Sequence, residues 1–207
     1  MRAMKLALGT PMLAVLALGA LLSASAHLPG SAMAQSTWTN WETPPVHPID
    51  ITPDGNTLLS ANLADARLEV FDITSGAPAY VMSIAVGLDP VTVRARTNTE
   101  VWVVNSISDS VSIVDLATGN VRATLSVGDE PGDVVFAGSP ERAFVSISQE
   151  NEVWVFDPAD LTLSPLVVDI FGEEPRALAR STDGTQVYAA IFDSGNGTTV
   201  LGGGIAS

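Results

Sequence analysis

An all-β fold is predicted by two repeated markers and by the absence of helical periodicity after the first 34 residues. Prolines recur at intervals of 42, 41 and 44 residues, at Pro48, Pro90, Pro131 and Pro175. Aspartates that end alternating apolar runs recur at intervals of 43 and 42 residues, at Asp72, Asp115 and Asp157. A period near forty residues, with about four short strands in each unit, is typical of a β-propeller. The sequence therefore predicts an all-β propeller of roughly 42-residue, four-stranded blades, about three and a half of them present.

The first 34 residues are predicted to be a secretory signal peptide. Arg2 and Lys5 give a positive start, a mostly apolar stretch covers 6–22, and Ala32-Met33-Ala34 forms a small-residue cleavage pattern. The alternative is a retained membrane anchor, although the apolar stretch is short and interrupted for a spanning helix. We therefore expect residues 35–207 to be exported, to the periplasm or the cell surface, with no membrane-spanning segment left after cleavage.

Composition limits the partners of the mature chain. Its 23 acidic residues face seven arginines and no lysine, which gives a formal charge of −16. Such a surface repels nucleic acid and anionic lipid, and it is typical of a solubilising surface on an exported protein. The alternative is a surface that binds an unknown protein, basic in charge, or a small cationic ligand. The chain has no cysteine, so these residues contain no disulfide, no zinc–thiolate site and no CxxCH haem attachment.

The strands are clearest in the predicted blade over 88–128. Short apolar or alternating runs predict its four strands at 90–95, 100–104, 110–115 and 121–127. The same order of runs predicts blades at 45–87 and 129–172 and an incomplete blade at 173–207. Pro53-Asp54-Gly55 and Asp183-Gly184 have the composition of β-turns between strands. A parallel β-helix or a β-sandwich is the competing architecture, but neither explains this repeat length.

The segment Val101-Trp102-Val103-Val104-Asn105, followed by SISDSVSIVDLATGNVRATLSVG, resembles the YVTN (YncE-like) family of β-propeller repeats. Trp102 stands at the tyrosine position and Val104 at the threonine position, while Asn105 matches. The resemblance covers about residues 45–200 and implies a propeller fold. Members of this family are exported bacterial proteins or archaeal surface-layer proteins, most without an assigned activity, and similar propellers form modules of larger proteins that include redox domains.

Three and a half blades are fewer than a closed propeller needs, since closure takes at least four. We therefore expect this chain to be an N-terminal fragment of a longer protein. One alternative is a compact four-bladed form in which residues 38–41 supply the missing outer strand. The other alternative, if the chain is complete, is self-association of open arcs, because open arcs expose strand edges.

Candidate ligand or cation residues directly precede the repeated proline. They are His47, Asp89, Glu130 and Glu174. In equivalent blades these side chains would surround one mouth of the channel, where carboxylates and an imidazole are suited to a divalent cation or a cationic ligand. The alternative is structural, because three of these positions belong to a Gly-x-[Asp/Glu]-Pro pattern that fits a tight turn into the inner strand.

Four arginines on or just after the inner strands are candidates for lining the channel, where they would bind carboxylate or phosphate. They are Arg94, Arg96, Arg176 and Arg180. Ion pairing with the abundant acidic residues is the alternative use. The tryptophans at 38, 41, 102 and 154 are expected to fill the spaces between blades, and Asp72, Asp115 and Asp157 to cap the turns that follow them.

No motif of an enzyme is present, since the chain lacks GxSxG, P-loop, GxGxxG and HExxH patterns. The sequence therefore favours an exported, non-catalytic propeller that serves as a binding or interaction scaffold, with no evident cofactor other than a candidate divalent cation. The alternative is a propeller module of a longer redox enzyme or lyase whose catalytic residues lie beyond residue 207.

Overall fold

A computed structural model of the chain describes residues 44–193. This part consists of three four-stranded antiparallel sheets and one two-stranded antiparallel sheet, joined by turns and short loops. It contains no α-helix, so no helix there is long and apolar enough to cross a membrane. The predictions for the signal peptide, for Trp38 and Trp41 and for the last residues fall outside the described part.

Each of the first three sheets is built in chain order from an inner strand outward. Sheet 1 contains β1 (Ile49–Ile51), β2 (Thr57–Asn62), β3 (Arg67–Asp72) and β4 (Ala79–Ala85). Sheet 2 contains β5 (Pro90–Ala95), β6 (Glu100–Asn105), β7 (Ser110–Asp115) and β8 (Asn120–Ser126). Sheet 3 contains β9 (Pro131–Ala137), β10 (Arg142–Ile147), β11 (Glu152–Phe156) and β12 (Leu166–Asp169). Sheet 4 contains β13 (Glu173–Arg180) and β14 (Val187–Asp193).

The turns between strands use the side chains that the sequence indicated. Gly55, at φ 74°, closes the turn between β1 and β2, and Gly184, at φ 69°, closes the turn between β13 and β14. The aspartate after each third strand accepts a backbone N–H two residues later, at 2.7 Å for Asp72, 2.9 Å for Asp115 and 2.9 Å for Asp157. The predicted capping role of these aspartates is confirmed.

Consecutive sheets are stacked through their inner strands and through apolar side chains between their faces. Leu59, Leu68 and Val70 of sheet 1 belong to one core cluster with Val101 and Val114 of sheet 2. A second cluster joins sheets 2 and 3, and a smaller cluster joins sheets 3 and 4. Each sheet thus buries its apolar faces against its neighbours, which is how repeat architectures form a continuous core.

Trp102 is the largest fully buried side chain between sheets 2 and 3. Its ring meets Phe136 of sheet 3 edge to face, with 5.4 Å between centroids, and its indole N–H donates to Glu100 Oε1 at 2.9 Å. The predicted role of Trp102 between blades is confirmed. Trp154 is partly buried on β11, where its ring lies 6.4 Å from Phe156 of the same strand.

The predicted all-β class and the order of four strands per repeat are confirmed. The strands over 90–95 and 110–115 have the predicted bounds. The second strand of sheet 2 extends one residue beyond the prediction, and the fourth strand begins and ends one residue earlier than predicted. The number of blades in the whole protein and the closure of a ring stay predictions.

We expect Trp102→Ala to lower the free energy of unfolding by about 3–5 kcal/mol, since it removes a large buried ring and its contact with Phe136. Leu88→Ala is the control, because Leu88 is 58% exposed and its truncation should change stability by less than about 0.5 kcal/mol. Urea unfolding measures both values. Equal effects of the two substitutions would contradict the packing described for Trp102.

Candidate functional site

One end of the stacked sheets is formed by very short loops, which we call the loop face. These loops join the second to the third strand within a sheet, or the last strand of one sheet to the inner strand of the next. The loop face comprises residues 63–66, 86–89, 106–109, 127–130, 148–151 and 170–172. Because each loop has only three or four residues, backbone geometry there is tightly constrained.

Left-handed backbone recurs at two positions of the loop face. The residue before each third strand has positive φ, at 53° for Ala66, 46° for Asp109 and 60° for Asn151. The residues directly before three of the repeated prolines, which we call the lead-in residues, also have positive φ. The angle is 56° for Asp89, 51° for Glu130 and 55° for Glu174. This region costs roughly 1–2 kcal/mol for residues with a side chain, least for Asn and Asp. Where two consecutive sheets meet, contacts with neighbouring residues must therefore offset the cost of the left-handed backbone.

Hydrogen bonds between these two positions join sheet 2 to sheet 3 and sheet 3 to sheet 4. The backbone N–H of Glu130 donates to Asp109 Oδ1 at 3.2 Å, and that of Glu174 donates to Asn151 Oδ1 at 2.9 Å. The carbonyls of Asp89 and Glu130 accept from Ser106 N at 2.9 Å and Ser148 N at 3.1 Å. The lead-in residues thus use their backbones structurally, in agreement with the Gly-x-[Asp/Glu]-Pro alternative. Asp109 and Asn151 were not singled out from the sequence.

The four candidate cation residues differ in their surroundings. Asp89 is buried, whereas Glu130 and Glu174 are partly buried, and Glu130 Oε2 accepts from Gln149 Nε2 at 3.1 Å. His47 lies in the segment before β1, where its backbone bonds β5. Between residues 44 and 193, no group of three or more histidines, aspartates and glutamates is arranged to hold a metal ion. The divalent-cation site stays a prediction.

The loop face carries acidic side chains and, in its six loops, no arginine or lysine. Its acidic residues are Asp65, Asp89, Asp109, Asp129, Glu130 and Glu150, and Glu173 and Glu174 follow at the start of β13. Asp65, Asp129 and Glu150 are exposed. This face is therefore an extended negative surface, which attracts cations and repels anions.

A buried ion pair joins the inner strands of sheets 2 and 3. Arg94 Nε donates to Asp133 Oδ1 at 3.2 Å, and Arg94 Nη2 donates to Asp133 Oδ2 at 3.0 Å. The Asp133 side chain is 1% exposed and that of Arg94 is 22% exposed. Two parallel bonds of this kind are the strongest geometry that an arginine and a carboxylate can form.

Asp133 also binds backbone on two strands. Its Oδ1 accepts from Val134 N at 2.8 Å, and its Oδ2 accepts from Leu178 N of β13 at 2.8 Å. Both carboxylate oxygens are therefore satisfied, which a buried charge requires. Asp133 was not among the predicted site residues. The available signal was an acidic residue between Gly132 and the apolar run Val134-Val135-Phe136.

His47 extends the cluster to the segment before β1. Its Nε2 lies 3.0 Å from Arg94 Nη1. Burial, and then the positive charge of Arg94, lower the pKa of His47 below its ordinary value of 6.5, while Asp133 and Asp50 oppose this shift. A neutral imidazole can accept the Arg94 bond, whereas an imidazolium cannot. The cluster His47–Arg94–Asp133 thus connects the segment before β1 with the inner strands of sheets 2 and 3 when His47 is neutral.

The four channel candidates have different partners. Arg94 and Arg96 both pair with acidic residues, and Arg96 bridges Glu100 at 3.0 Å and Glu141 of sheet 3 at 2.7 Å. Arg176 lies over the Phe192 ring, 5.6 Å from its centroid. Arg180 donates to the carbonyl of Phe136 at 3.4 Å. Ion pairing therefore accounts for Arg94 and Arg96, and a ligand role for the four stays untested.

The asparagine shared with the YVTN pattern lies in a fully buried position. Asn105 Nδ2 donates to Ser110 O at 3.3 Å and to Ser112 Oγ at 3.0 Å, across the hairpin of β6 and β7. Its Oδ1 has no hydrogen-bond partner in the described part of the chain. Asn62, at the matching position of sheet 1, accepts from Asp65 N at 3.3 Å. Both asparagines fix the loop that follows the second strand.

Solved structures with this arrangement of sheets include hydrazine synthase of Kuenenia stuttgartiensis. The likeness has a TM-score of 0.65 at 23% identity and covers 77% of this chain and 45% of that one. A protein of unknown function from Desulfotomaculum acetoxidans matches with a TM-score of 0.56 at 18% identity, over 69% of this chain and 48% of that one. A 6-phosphogluconolactonase candidate from Bacteroides uniformis matches with a TM-score of 0.58 at 18% identity, over 72% and 48%.

These likenesses support a propeller-like fold and carry no function, because fold alone does not define activity. The chain spans less than half the length of each of these solved chains. No protein family and no curated protein matches the sequence. The YVTN assignment therefore stays a prediction, while the propeller-like all-β fold that it implied is supported.

We expect Asp133→Ala to lower the free energy of unfolding by about 3–5 kcal/mol, because it leaves Arg94 without its carboxylate partner in a partly buried site. A double-mutant cycle with Arg94→Ala should give a coupling energy of about 1–3 kcal/mol. Urea unfolding of the four proteins measures it.

The control for this cycle is the more exposed pair of Arg142 and Asp157, whose atoms lie 3.0 Å apart. Its coupling energy should stay below about 1 kcal/mol, because solvent screens it. Equal coupling energies for the two pairs would contradict a larger contribution of the Arg94–Asp133 pair to stability.

We expect stability to fall as the pH decreases through 6.5, because unfolded His47 takes up a proton that folded His47 resists. The loss should level off below the lowered pKa of folded His47. His47→Gln should flatten this dependence above pH 5, where the carboxylates remain ionised. Urea midpoints at pH 7.5 and 5.5 measure the effect, and His47 is the only histidine of residues 35–207. Identical pH dependence of both proteins would refute the assignment.

Proposed function

We propose that this chain is an exported, non-catalytic β-propeller repeat protein of YVTN type that acts as a binding scaffold in the periplasm or at the cell surface. Its loop face binds a basic protein or a small cationic ligand. The observation that carries the proposal is the charge of the loop face, where five of the six short loops contain acidic residues and none contains a basic one.

Rigidity of the loop face supports this role. Asp109 Oδ1 and Asn151 Oδ1 accept hydrogen bonds from the backbone N–H groups of Glu130 and Glu174, which hold these two residues in the left-handed region. Glycine would occupy that region at lower cost, yet all three lead-in positions are acidic. Backbone held in a costly conformation is frequent at ligand sites. A fixed backbone also reduces the entropy that a charged surface loses on binding.

The use of charges elsewhere in the molecule supports the same assignment. Arg94 and Arg96 pair with acidic residues within the stack of sheets, and Arg122 pairs with Glu100 at 3.1 Å. These pairs neutralise part of the interior and the opposite end of the sheets. Asp65, Asp129 and Glu150 are exposed on the loop face, so their field extends into solvent.

We expect a fluorescent oligolysine peptide to bind the mature chain and to lose affinity as salt is raised, since salt screens exposed charges. A loop-face variant should bind roughly tenfold more weakly, because three exposed charge interactions of up to about 1 kcal/mol each are removed. This variant combines Asp65→Asn, Asp129→Asn and Glu150→Gln. Fluorescence anisotropy measures both dissociation constants.

A matched control removes three exposed charges from turns at the opposite end of the sheets. It combines Asp54→Asn, Asp160→Asn and Asp183→Asn, each of which keeps an oxygen for its turn. This control should lose less than a third of the loop-face effect on a logarithmic scale. Equal losses of affinity in the two variants would indicate that net charge alone attracts the peptide. Retention of the chain in the cytoplasm would contradict the proposed export.

A further inference from the structure

Sheet 1 has an apolar row on the face that points away from sheet 2. Leu59 and Val70 face sheet 2, so their neighbours along the strands face the other way. Strand register places four of these outward side chains side by side across the sheet, namely Ile51, Leu58, Phe71 and Tyr80. Ile51 is 47% exposed and Tyr80 is 64% exposed. We call this set the receiving row of sheet 1.

The same row in sheet 2 shows what normally covers such a face. Its register equivalents are Ala95, Val101, Val114 and Val121. These residues pack against Leu59, Leu68 and Val70 of sheet 1, and both Val101 and Val114 are fully buried. The receiving row of sheet 2 is therefore closed by the face of the preceding sheet.

Sheet 3 follows the same rule. Its row contains Phe136, Ala143 and Phe156. They pack against residues of sheet 2 that include Trp102 and Ile113. In sheets 2 and 3, the receiving row is thus covered by the apolar face of the preceding sheet. The partner that fits the uncovered row of sheet 1 should therefore be a sheet of the same kind.

The other end of the stack has the complementary open face. Val187 and Ala189 of β14 pack towards sheet 3, so Tyr188 and Phe192 point away from it. Tyr188, at the position of Trp102 in sheet 2, is 56% exposed, and Phe192 is 72% exposed. In the described part of the chain, β14 pairs with β13 alone. We call the face of Tyr188 and Phe192 the donating face.

We propose that a second copy of this chain covers these surfaces, with the donating face of each copy on the receiving row of the other. The two contacts are identical and close a two-copy ring. Repeat equivalence defines the partner as a sheet of this type, and the donating face of a second copy is such a sheet. Two different patches meet in each contact, and a two-fold axis relates the two contacts.

Charge sets the conditions for this association. The full sequence has a formal charge of −14 at pH 7, so two copies repel each other at long range. The proposed contact is mainly apolar, and its attraction is not weakened by simple salt. Association should therefore strengthen as salt is raised, which is the opposite of the salt dependence expected for a cationic ligand on the loop face.

The test uses sedimentation of the full mature chain at several protein and salt concentrations. We expect a dimer of twice the chain mass, with a dissociation constant that Leu58→Glu or Tyr188→Glu raises at least tenfold. Leu163→Glu is the matched control, because Leu163 is 55% exposed in a loop outside both faces. It should leave the dimer unchanged, and circular dichroism checks that all variants are folded.

Mixing two variants distinguishes a contact between the two different faces from a contact of one face with the same face of the other copy. Leu58→Glu retains an intact donating face, and Tyr188→Glu retains an intact receiving row. An equimolar mixture of the two therefore forms one unaltered contact and should associate more tightly than either variant alone. A symmetric patch made of either face would gain nothing from mixing, which would overturn the proposal.

Three other outcomes also overturn it. A wild-type chain that stays monomeric at about 100 μM would mean that the chain covers its own faces or leaves them open. Growth to species larger than a dimer would show that the contacts do not close. A dimer that resists both Leu58→Glu and Tyr188→Glu would place the interface elsewhere.

Discussion

The packing of one sheet on the next is the interaction on which the rest of this structure depends. Each four-stranded sheet has apolar residues on both faces, so it cannot shield them alone. Trp102 and Ile113 are buried only because Phe136 and its neighbours on sheet 3 lie against them. The repeat therefore stabilises the fold by serial contacts, and each sheet's stability depends on both of its neighbours.

This packing also makes the polar cluster of the inner strands possible. Asp133 is removed from water by sheets 2, 3 and 4, and it compensates with four hydrogen bonds to Arg94, Val134 and Leu178. A buried carboxylate of this kind adds orientation rather than simple stability, because its desolvation offsets much of the attraction. The apolar rows bring the sheets together, and the bonds of Asp133 connect the inner strands of sheets 2, 3 and 4.

The repeated prolines and aspartates were sufficient to place the strands of sheet 2 within one residue at each end, because turn chemistry and alternation are local properties. The candidate site was less predictable. Asp133 contacts Arg94 and Leu178, which are 39 and 45 residues away, and no local pattern reports such partners. The acidic lead-in residues were found by repetition, yet their left-handed backbone and their bonds to Asp109 and Asn151 arise only when two sheets meet.

Because this repeat constrains its backbone tightly, only a few side chains, mainly in its loops, can differ in chemistry from one repeat to the next. The third strands and their turns need the same aspartate each time, so that position cannot vary with function. The loop face has no such uniform requirement, since Ala66, Asp109 and Asn151 all occupy equivalent left-handed positions. Acidic residues nevertheless accumulate there. Asp109 has a structural bond to the backbone of Glu130, so the proposed binding role depends mainly on the exposed carboxylates of Asp65, Asp129 and Glu150.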